Sequence, residues 1–487
     1  MSIFNFKIKR KDKNTINRAG GQAFKQSPEM ELISLLLTSF AQDQYYRKAE
    51  DTFKDLVKAL KKINPLFAAK AAVYARTEFG MRSITHVLAV ELAAYVAGQP
   101  WAKGFYNKIV KRPDDMLEIA AYFKTQGGKG LPNAMKKGFA KAFDKFDGYQ
   151  IAKHRGEDKS IKLIDLVNLI HPVPTQKNAQ ALQALVDGTL RNSQTWESQL
   201  TQAGQAAKSE KDKVRLKAEV WKNLLRENKL GYFALVRNLR NILQQAPNMT
   251  HTVCQQLTDR ERIKKSLVLP FRLLVAYKQL NGTDANMRKV RNALERAINI
   301  ACDNVPYLEN TLVVVDNSGS MASNVANSPH VKCNEVGAMF GMVLAKRCNA
   351  DILEFGNHAR FIGYDLNESV ISFSKSFEKN NKVGHGTNFH SIFKTAKKRY
   401  DRIVIFSDMQ GWIGHYSPKK AYENYKQKTG ADPFIYSFDL RGYGSLQFPE
   451  RKVLTLAGFS EKVFDLMKIV EKDKRALVRA VEAIELN

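Results

Sequence analysis

The chain has 487 residues, of which 77 are Lys or Arg and 48 are Asp or Glu, giving a formal net charge of +29. Hydrophobic residues make up 44% of the chain and charged residues 26%, which excludes a wholly disordered protein. The longest apolar run, Leu32–Ala41, is too short to cross a membrane, and residues 1–14 lack the apolar segment of a signal peptide. We therefore expect no membrane partner.

The positive charge is unevenly distributed along the chain. Residues 1–300 contain 52 Lys and Arg against 27 Asp and Glu, a net charge of +25, whereas residues 301–487 have a net charge of only +4. The four cysteines are far apart and form no C-x-x-C pair, which argues against a disulfide scaffold or zinc ribbon. The isolated cysteines favour a cytoplasmic protein. The positive charge of residues 1–300 favours an acidic partner for that region, such as nucleic acid.

Residues 28–301 are predicted to form a series of helices, because apolar residues recur at three- and four-residue spacing between Gly, Pro and Asn breaks. The predicted helices include Glu29–Ala41, Arg47–Leu60, Leu66–Phe79, Ile84–Ala97, Asp115–Phe123 and Asn133–Phe146. Serial helices of this length favour stacked helical pairs, an α-solenoid, although no repeat of fixed period is found. The polar stretch Gln202–Lys217 is expected to be a loop.

After about Pro306, short β-branched runs alternate with helical patterns. The predicted strands are Asn310–Val315, Ala350–Phe355, Arg402–Phe406 and Pro433–Phe438, separated by helices at Cys333–Arg347, Phe389–Arg399 and Ala421–Lys428. This alternation predicts a mostly parallel sheet covered by helices, with any ligand at the carboxyl ends of the strands. The predicted division is a basic tail at 1–16, a helical domain at 17–305 and an α/β domain at 306–487.

Oxygen-bearing side chains follow two of these strands and precede one helix. The first strand runs into a D-x-S-x-S turn, Gly386-Thr387-Asn388 comes before a predicted helix, and Ser407-Asp408 ends the third strand. Carboxylates, hydroxyls and waters form the oxygen-only shell that Mg²⁺ takes in proteins. The candidate metal ligands are Asp316, Ser318, Ser320, Thr387 and Asp408.

One predicted helix carries a basic stripe. In Asn133–Asp147 the apolar residues share one face, while Lys137, Lys141 and Lys145 lie at four-residue spacing on another. Such a stripe is either a solvated polar face or a row of phosphate contacts, and the spacing alone leaves both open.

Further basic residues lie at the ends of the next helices. Lys153 and Arg155 follow the aromatic Tyr149, and His171 stands at a predicted helix end before Pro172. His171 could simply terminate that helix, but basic groups beside an aromatic ring also suit phosphate contact and base stacking.

These segments resemble two known modules. The five candidate metal ligands match the metal-ion-dependent adhesion site of von Willebrand factor A domains. Other segments resemble the RNA-binding TROVE module of the Ro autoantigen family, namely Gly128–Leu131, Lys153 with His171, Trp221 with Ala234–Leu239, and Leu269–Tyr277. In that family an A domain follows the TROVE module, which is the order seen here. Leu269 replaces a histidine of the family, so nothing is inferred from that position.

The resemblance implies a fold and a function. The family fold is a ring of HEAT-like helical repeats closed by a Rossmann-like A domain, and we expect a monomeric ring. In that family, small noncoding Y RNAs bind the outer basic surface, and single-stranded 3′ ends of misfolded RNAs enter the hole, in RNA quality control or processing. An exoribonuclease or another protein is a candidate partner, and Mg²⁺ is the expected cofactor.

The resemblance also assigns roles to particular residues. It implies RNA contacts at Lys153 and His171 and extends them to Arg155, while Lys137 and Lys141 are added from the stripe. Arg237 is expected to pack between helices rather than to bind RNA.

A second hypothesis is a Mg²⁺-dependent protein-interaction scaffold without RNA, in which the A domain binds acidic partner residues. It explains the metal ligands equally well but leaves the position of the positive charge unexplained. We do not expect an enzyme, because the sequence has no phosphate-binding loop, no nucleophile elbow and no paired carboxylates of a hydrolase.

Overall fold

The computed structural model describes residues 14–17, 19, 22–24, 27–38, 49–191, 195–280, 282–325, 328–411, 413, 418–441, 447–448, 452–456, 467, 470–471 and 476–487. The helices and strands below are numbered over these residues. In this part of the chain, no helix has the length and apolar character needed to cross a membrane.

A long series of helices makes up the first domain, preceded by a hairpin of β1 (Asn14–Ile16) and β2 (Gln22–Phe24). The helices are α1 Pro28–Thr38, α2 Ala49–Leu60, α3 Pro65–Glu78, α4 Ser83–Glu91, α5 Ala102–Ile109, α6 Pro113–Thr125, α7 Asn133–Ala142, α8 Gly148–Lys153, α9 Leu163–Ile170, α10 Ala179–Val186, α11 Trp196–Gln205, α12 Glu210–Arg226, α13 Tyr232–Gln245, α14 Thr250–Leu257, α15 Arg260–Ser266, α16 Pro270–Gln279 and α17 Ala285–Ala301.

Local sequence signals set several of these helix starts. Asn64 caps α3, since its side chain accepts a hydrogen bond from the backbone N–H of Leu66, and Pro65 occupies the first helical position. Asp259 and Asp284 cap α15 and α17 in the same way. These caps satisfy backbone donors that have no partner within the helix.

The helices stack in two layers. Contacts link α1 to α3, α3 to α5 and α5 to α7, while α2 contacts α4 and α4 contacts α6. Alternate helices therefore lie side by side, which is the packing of stacked helical pairs.

The polar stretch predicted as a loop is instead helical. Helix α11 continues to Gln205, and α12 begins at Glu210 after Ser209, whose hydroxyl accepts a hydrogen bond from the backbone N–H of Asp212. Ion pairs three residues apart, such as Lys213 with Glu210 at 2.8 Å, run along its exposed side. Charged pairs at this spacing support a helix that shows little apolar pattern.

The second domain is a six-stranded sheet in the order β10-β9-β8-β3-β6-β7, parallel except for β7 at one edge. Its strands are β3 Thr311–Asp316, β6 Asp351–Phe355, β7 Ala359–Ile362, β8 Arg402–Ser407, β9 Phe434–Asp439 and β10 Val453–Leu456, and β4 Asn324–Val325 with β5 Ser328–Lys332 forms a separate hairpin. Its helices are α18 Cys333–Cys348, α19 Val370–Lys379, α20 Phe389–Thr395 and α21 Pro418–Thr429, followed by α22 Ala476–Glu482.

The two faces of the sheet belong to different hydrophobic cores. Val313 and Val315 of β3 pack with α18 and α19 in the core that continues into the helical domain. Leu312 and Val314 point the other way, into a smaller core with α20 and α21. This alternation along β3 follows from the two-residue period of a strand, and it places α20 and α21 on the face away from the helical domain.

Both ends of the helical domain contact the sheet domain. Helices α16 and α17 contact α18 and α19, while α1 contacts β10 and α22 packs on α3. The Lys108 ammonium donates a hydrogen bond to the backbone carbonyl of Glu485 at 2.8 Å, and the backbone of Leu486 lies against Gly104. The helical series is therefore closed into a ring by the sheet domain.

The predicted fold, a helical ring followed by a mostly parallel sheet domain, is confirmed by this arrangement.

Candidate metal centre and nucleic-acid interface

The predicted metal ligands lie at the carboxyl ends of two adjacent strands. Asp316 is the last residue of β3 and Asp408 directly follows β8, and these strands pair with Val315 opposite Phe406. The loop before α20 reaches the same edge, because the backbone N–H of Gly319 donates to the carbonyl of His385 at 2.8 Å. Parallel pairing thus brings three distant segments of the chain together.

The side chains at this edge form a compact set of oxygen atoms. The Asp316 carboxylate accepts hydrogen bonds from the Ser407 hydroxyl and, at 2.9 Å, from the backbone N–H of Ser318. The hydroxyl oxygens of Ser318 and Ser320 are 3.3 Å apart. Thr387 is buried on the neighbouring loop.

The two carboxylates are buried beside each other. Burial raises the pKa of Asp316 above its usual value, and the negative charge of Asp408 raises it further. Burial also raises the pKa of Asp408. The Asp408 Oδ2 atom is buried, and no hydrogen-bond donor reaches it from the described residues. The charge of Arg441 lowers the pKa of Asp408 but does not overcome the effect of burial. A divalent cation would supply further positive charge, so the donor set fits a hard, oxygen-binding metal ion.

Asparagines that were not singled out from the sequence hold this edge in place. The Asn381 amide donates to the backbone carbonyl of Asn317 at 2.7 Å, and the Asn334 amide donates to the Asn317 side chain at 3.2 Å. The N-terminal segment also reaches the site, because the Asn17 amide donates to the carbonyl of Gly411 at 2.7 Å. These contacts join residues far apart in sequence, so no local pattern indicates them.

Lys153 lies at the end of α8 in an exposed position. Its ammonium nitrogen is 5.8 Å from the centre of the Tyr149 ring, which is itself 49% exposed. His171 is also exposed and ends α9 in the left-handed conformation, with a φ of 45°. His171 therefore ends the helix, and its imidazole is also exposed.

The other predicted RNA-contact residues differ in whether other groups of the protein already pair with their charges. The Arg155 side chain is 19% exposed, donates to the backbone carbonyl of Leu190 and pairs with Glu157 at 2.9 Å. Lys141 is exposed and pairs with Asp144 at 2.7 Å. Lys137 is exposed.

Arg237 does not pack between helices, contrary to the sequence-based expectation. It lies exposed on α13, which contacts α16, and its positive charge adds to burial in lowering the pKa of Arg272. Among the described residues, no carboxylate forms an ion pair with either guanidinium. Two arginines that repel each other without an acidic neighbour leave positive charge available for an anion.

The comparisons with known proteins match both domains. The family model of the TROVE domain matches residues 21–214 and 188–291, and that of the Ro60 vWA domain matches residues 310–469. The chain belongs to the Ro family.

Relatives of different length share this similarity. The RNA-binding protein RO60 of Deinococcus radiodurans is 25% identical over 512 residues, covering 93% of this chain and 94% of that protein. Telomerase protein component 1 of Mus musculus is 23% identical over 353 residues, covering 54% of this chain but only 13% of that protein. The chain thus spans about an eighth of that relative's length.

The fold is shared with a solved Ro structure. The crystal structure of the Deinococcus radiodurans RO (RSR) protein superposes with a TM-score of 0.64 at 18% sequence identity, covering 94% of this chain and all of that one.

Proposed function

We propose that this Ro-family chain binds RNA with its helical domain. It scaffolds a small noncoding RNA of the Y type and binds the single-stranded 3′ ends of misfolded or structured RNAs, in RNA quality control or processing. The protein acts as a monomeric ring in the cytoplasm, with an exoribonuclease or another protein as a partner of the complex.

The observation that supports this proposal is exposed, unneutralised positive charge on the helical domain. Lys153 lies beside an exposed tyrosine ring, which combines a phosphate contact with a surface on which a base can stack. Arg237 and Arg272 add a second positive surface on neighbouring helices. The RNA-binding protein RO60 of D. radiodurans, similar over nearly the full length, supports the same function.

We propose further that the sheet domain holds Mg²⁺ through Asp316, Ser318, Ser320, Thr387 and Asp408. When bound, the ion would neutralise the buried carboxylates and leave a position for an oxygen atom of a partner. The buried Asp408 oxygen without a donor supports the site. We assign it to binding and not to catalysis, so the chain is proposed not to be an enzyme.

The proposed RNA binding is tested by affinity measurements over a salt series with the purified full-length protein. Binding to single strands should weaken with increasing salt with a slope of about −0.7 for each phosphate that is neutralised. Replacing Lys153 with Ala and His171 with Ser should weaken binding to structured RNA without changing the unfolding transition.

Two results would count against RNA binding. One is micromolar or weaker binding without dependence on salt, and the other is a preparation, made without nuclease, whose 260 to 280 nm absorbance ratio shows no nucleic acid. Unchanged affinity in the double variant would remove Lys153 and His171 from the interface.

A further inference from the structure

A cleft of about 600 Å³ lies between α20 and α21, on the sheet face away from the helical domain. Its lining residues include Phe393, Asn424, Lys394, Lys397, Lys420 and Lys428. Four are lysines, and no carboxylate is among them. This is unexpected because residues 301–487 have a net charge of only +4.

The lysines of the cleft differ from lysines that lie next to them in the sequence. Lys398, next to Lys397, pairs with Asp351 at 2.9 Å, and Lys426, two residues before Lys428, pairs with Asp432 at 3.4 Å. Within the described parts of the chain, Lys394, Lys397 and Lys428 have no carboxylate within ion-pair distance. The lysines that face away from the cleft are thus neutralised, and these three are not.

Repulsion among unneutralised cations is unfavourable unless an anion joins them. Burial lowers the pKa of His390 in the same cleft, and the charge of Lys394 lowers it further. Several cations around one concave site fit a ligand with several negative charges.

The size and lining of the cleft favour a ligand larger than inorganic phosphate. Phe393 and Ala396 are buried and form an apolar wall, and Asn424 also lines the cleft, while the Thr429 hydroxyl already donates to the carbonyl of Tyr425 at 2.8 Å. A volume of about 600 Å³ exceeds the needs of a single phosphate and lies in the range of small-molecule sites. An apolar wall with a few hydrogen-bonding groups suits a base, and the lysines suit phosphates.

We propose that this cleft binds a phosphorylated nucleoside, either as a free nucleotide or as the terminal nucleotide of an RNA strand. The phosphates contact Lys394, Lys397 and Lys428, and the base packs on the wall around Phe393. The site is separate from the helical RNA interface and from the proposed metal centre.

The test measures binding of a fluorescent ATP analogue to the full-length protein in EDTA, so that no metal ion can hold the phosphates. Replacing both Lys397 and Lys428 with Ala should weaken binding about tenfold or more, because charge-assisted contacts to phosphate are among the stronger hydrogen bonds. The matched control replaces the neutralised neighbours Lys398 and Lys426 with Ala and should change the affinity less than twofold.

Two further ligands identify the source of the phosphate. A short RNA with a 5′-phosphate is compared with the same RNA carrying a 5′-hydroxyl, and the effect of the Lys397/Lys428 double variant is measured for each. A loss seen only with the 5′-phosphate assigns the cleft to an RNA end, whereas a loss seen only with the ATP analogue assigns it to a free nucleotide.

The proposal is overturned if neither the ATP analogue nor the phosphorylated RNA loses affinity in the double variant, or if a polyglutamate peptide binds the cleft more tightly than both. If RNA binding is lost in the Lys153 and His171 double variant but retained in the Lys397/Lys428 double variant, the proposed RNA function is supported and this cleft has no part in it.

Discussion

Buried carboxylates occur in both domains, but their surroundings differ. In the helical domain, Asp115 accepts hydrogen bonds from the guanidinium groups of Arg76 and Arg82, both at 2.8 Å. In the sheet domain, Asp316 and Asp408 have hydroxyl and backbone donors and lie beside each other. The first arrangement is complete within the chain and stabilises the fold. In the second, the charge of Arg441 does not offset the effect of burial, so the two carboxylates are suited to bind a further cation.

The pKa values of the two sites shift in opposite directions. Burial alone would raise the pKa of Asp115, but the hydrogen bond from His86 and the charge of Arg76 hold it well below its usual value. At the other site, burial raises the pKa of Asp316 and of Asp408. Ionising Asp115 therefore favours the folded state, while ionising both carboxylates of the sheet domain opposes it in the absence of metal.

The largest effect is expected from Asp115→Asn, which leaves the buried Arg76 guanidinium without its counter-charge, while Arg82 keeps its ion pair with Asp114. Such a change should lower the free energy of unfolding by about 3–5 kcal/mol. Because the pKa of Asp115 is depressed in the folded state, its stabilisation is present above pH 4 and is lost as the pH falls below about 4. Urea unfolding should therefore show a less stable variant at both pH 7 and pH 3, with a difference from wild type that is about 1 kcal/mol smaller at pH 3, since the lowered pKa of Asp115 keeps it ionised in the folded state there.

The control for this experiment is Asp158→Asn, since that side chain is 80% exposed and makes only a long ion pair. It should change the unfolding free energy by less than about 0.5 kcal/mol. A variant at Asp115 that is as stable as wild type at pH 7 would show that the two sites do not differ as described.

In the absence of metal, Asp408→Asn is not expected to lower the free energy of unfolding, in contrast to Asp115→Asn. Removing one of two adjacent buried charges should leave the protein in EDTA at least as stable as wild type. Added Mg²⁺ should stabilise wild type by about 2.7 kcal/mol at one hundred times its dissociation constant, and should not stabilise the variant. Thermal unfolding with and without Mg²⁺ measures both, and equal stabilisation of the two proteins would contradict the proposed metal site.

A smaller effect is expected from a substitution at Gly104, where the segment after α22 contacts the helical domain. The backbone oxygen of Leu486 lies only 1.3 Å from the position that a Cβ atom would take at Gly104. Gly104→Ala should displace the segment after α22 and lower the unfolding free energy by about 1–3 kcal/mol, as overpacking does. Gly363, which has open space around it, provides the control Gly363→Ala. Equal stability of the two variants would show that this contact does not stabilise the ring.

The fold was predictable because its signals are local. The strand before Asp316 is a run of β-branched residues, and the alternation of strands with helices specifies a parallel sheet whose carboxyl ends meet. The ligand motif is equally local around Ser318 and Ser320. What could not be predicted depends on contacts between distant segments, such as that of Asn17 with Gly411.

Two groups of surface charges also depend on contacts between distant segments. Arg237 and Arg272 are 35 positions apart, and only the packing of α13 on α16 brings their charges near each other. The cleft lysines likewise come from α20, the loop after it and α21, so no spacing within one element indicates a shared site. The start of the helix at Glu210–Arg226 was predicted as a loop for a local reason, because its charged pairs mask the apolar pattern.

The central claim is that the exposed charge of the helical domain binds RNA independently of the buried carboxylates of the sheet domain. The most direct measurement compares RNA affinity in wild type, in Arg237→Gln with Arg272→Gln, and in Asp408→Asn over one salt series. The arginine variant should bind more weakly, with the salt slope reduced by about 1.4 for single strands, and the Asp408 variant should bind like wild type. RNA binding that is lost in Asp408→Asn but unchanged in the arginine variant would contradict the claim.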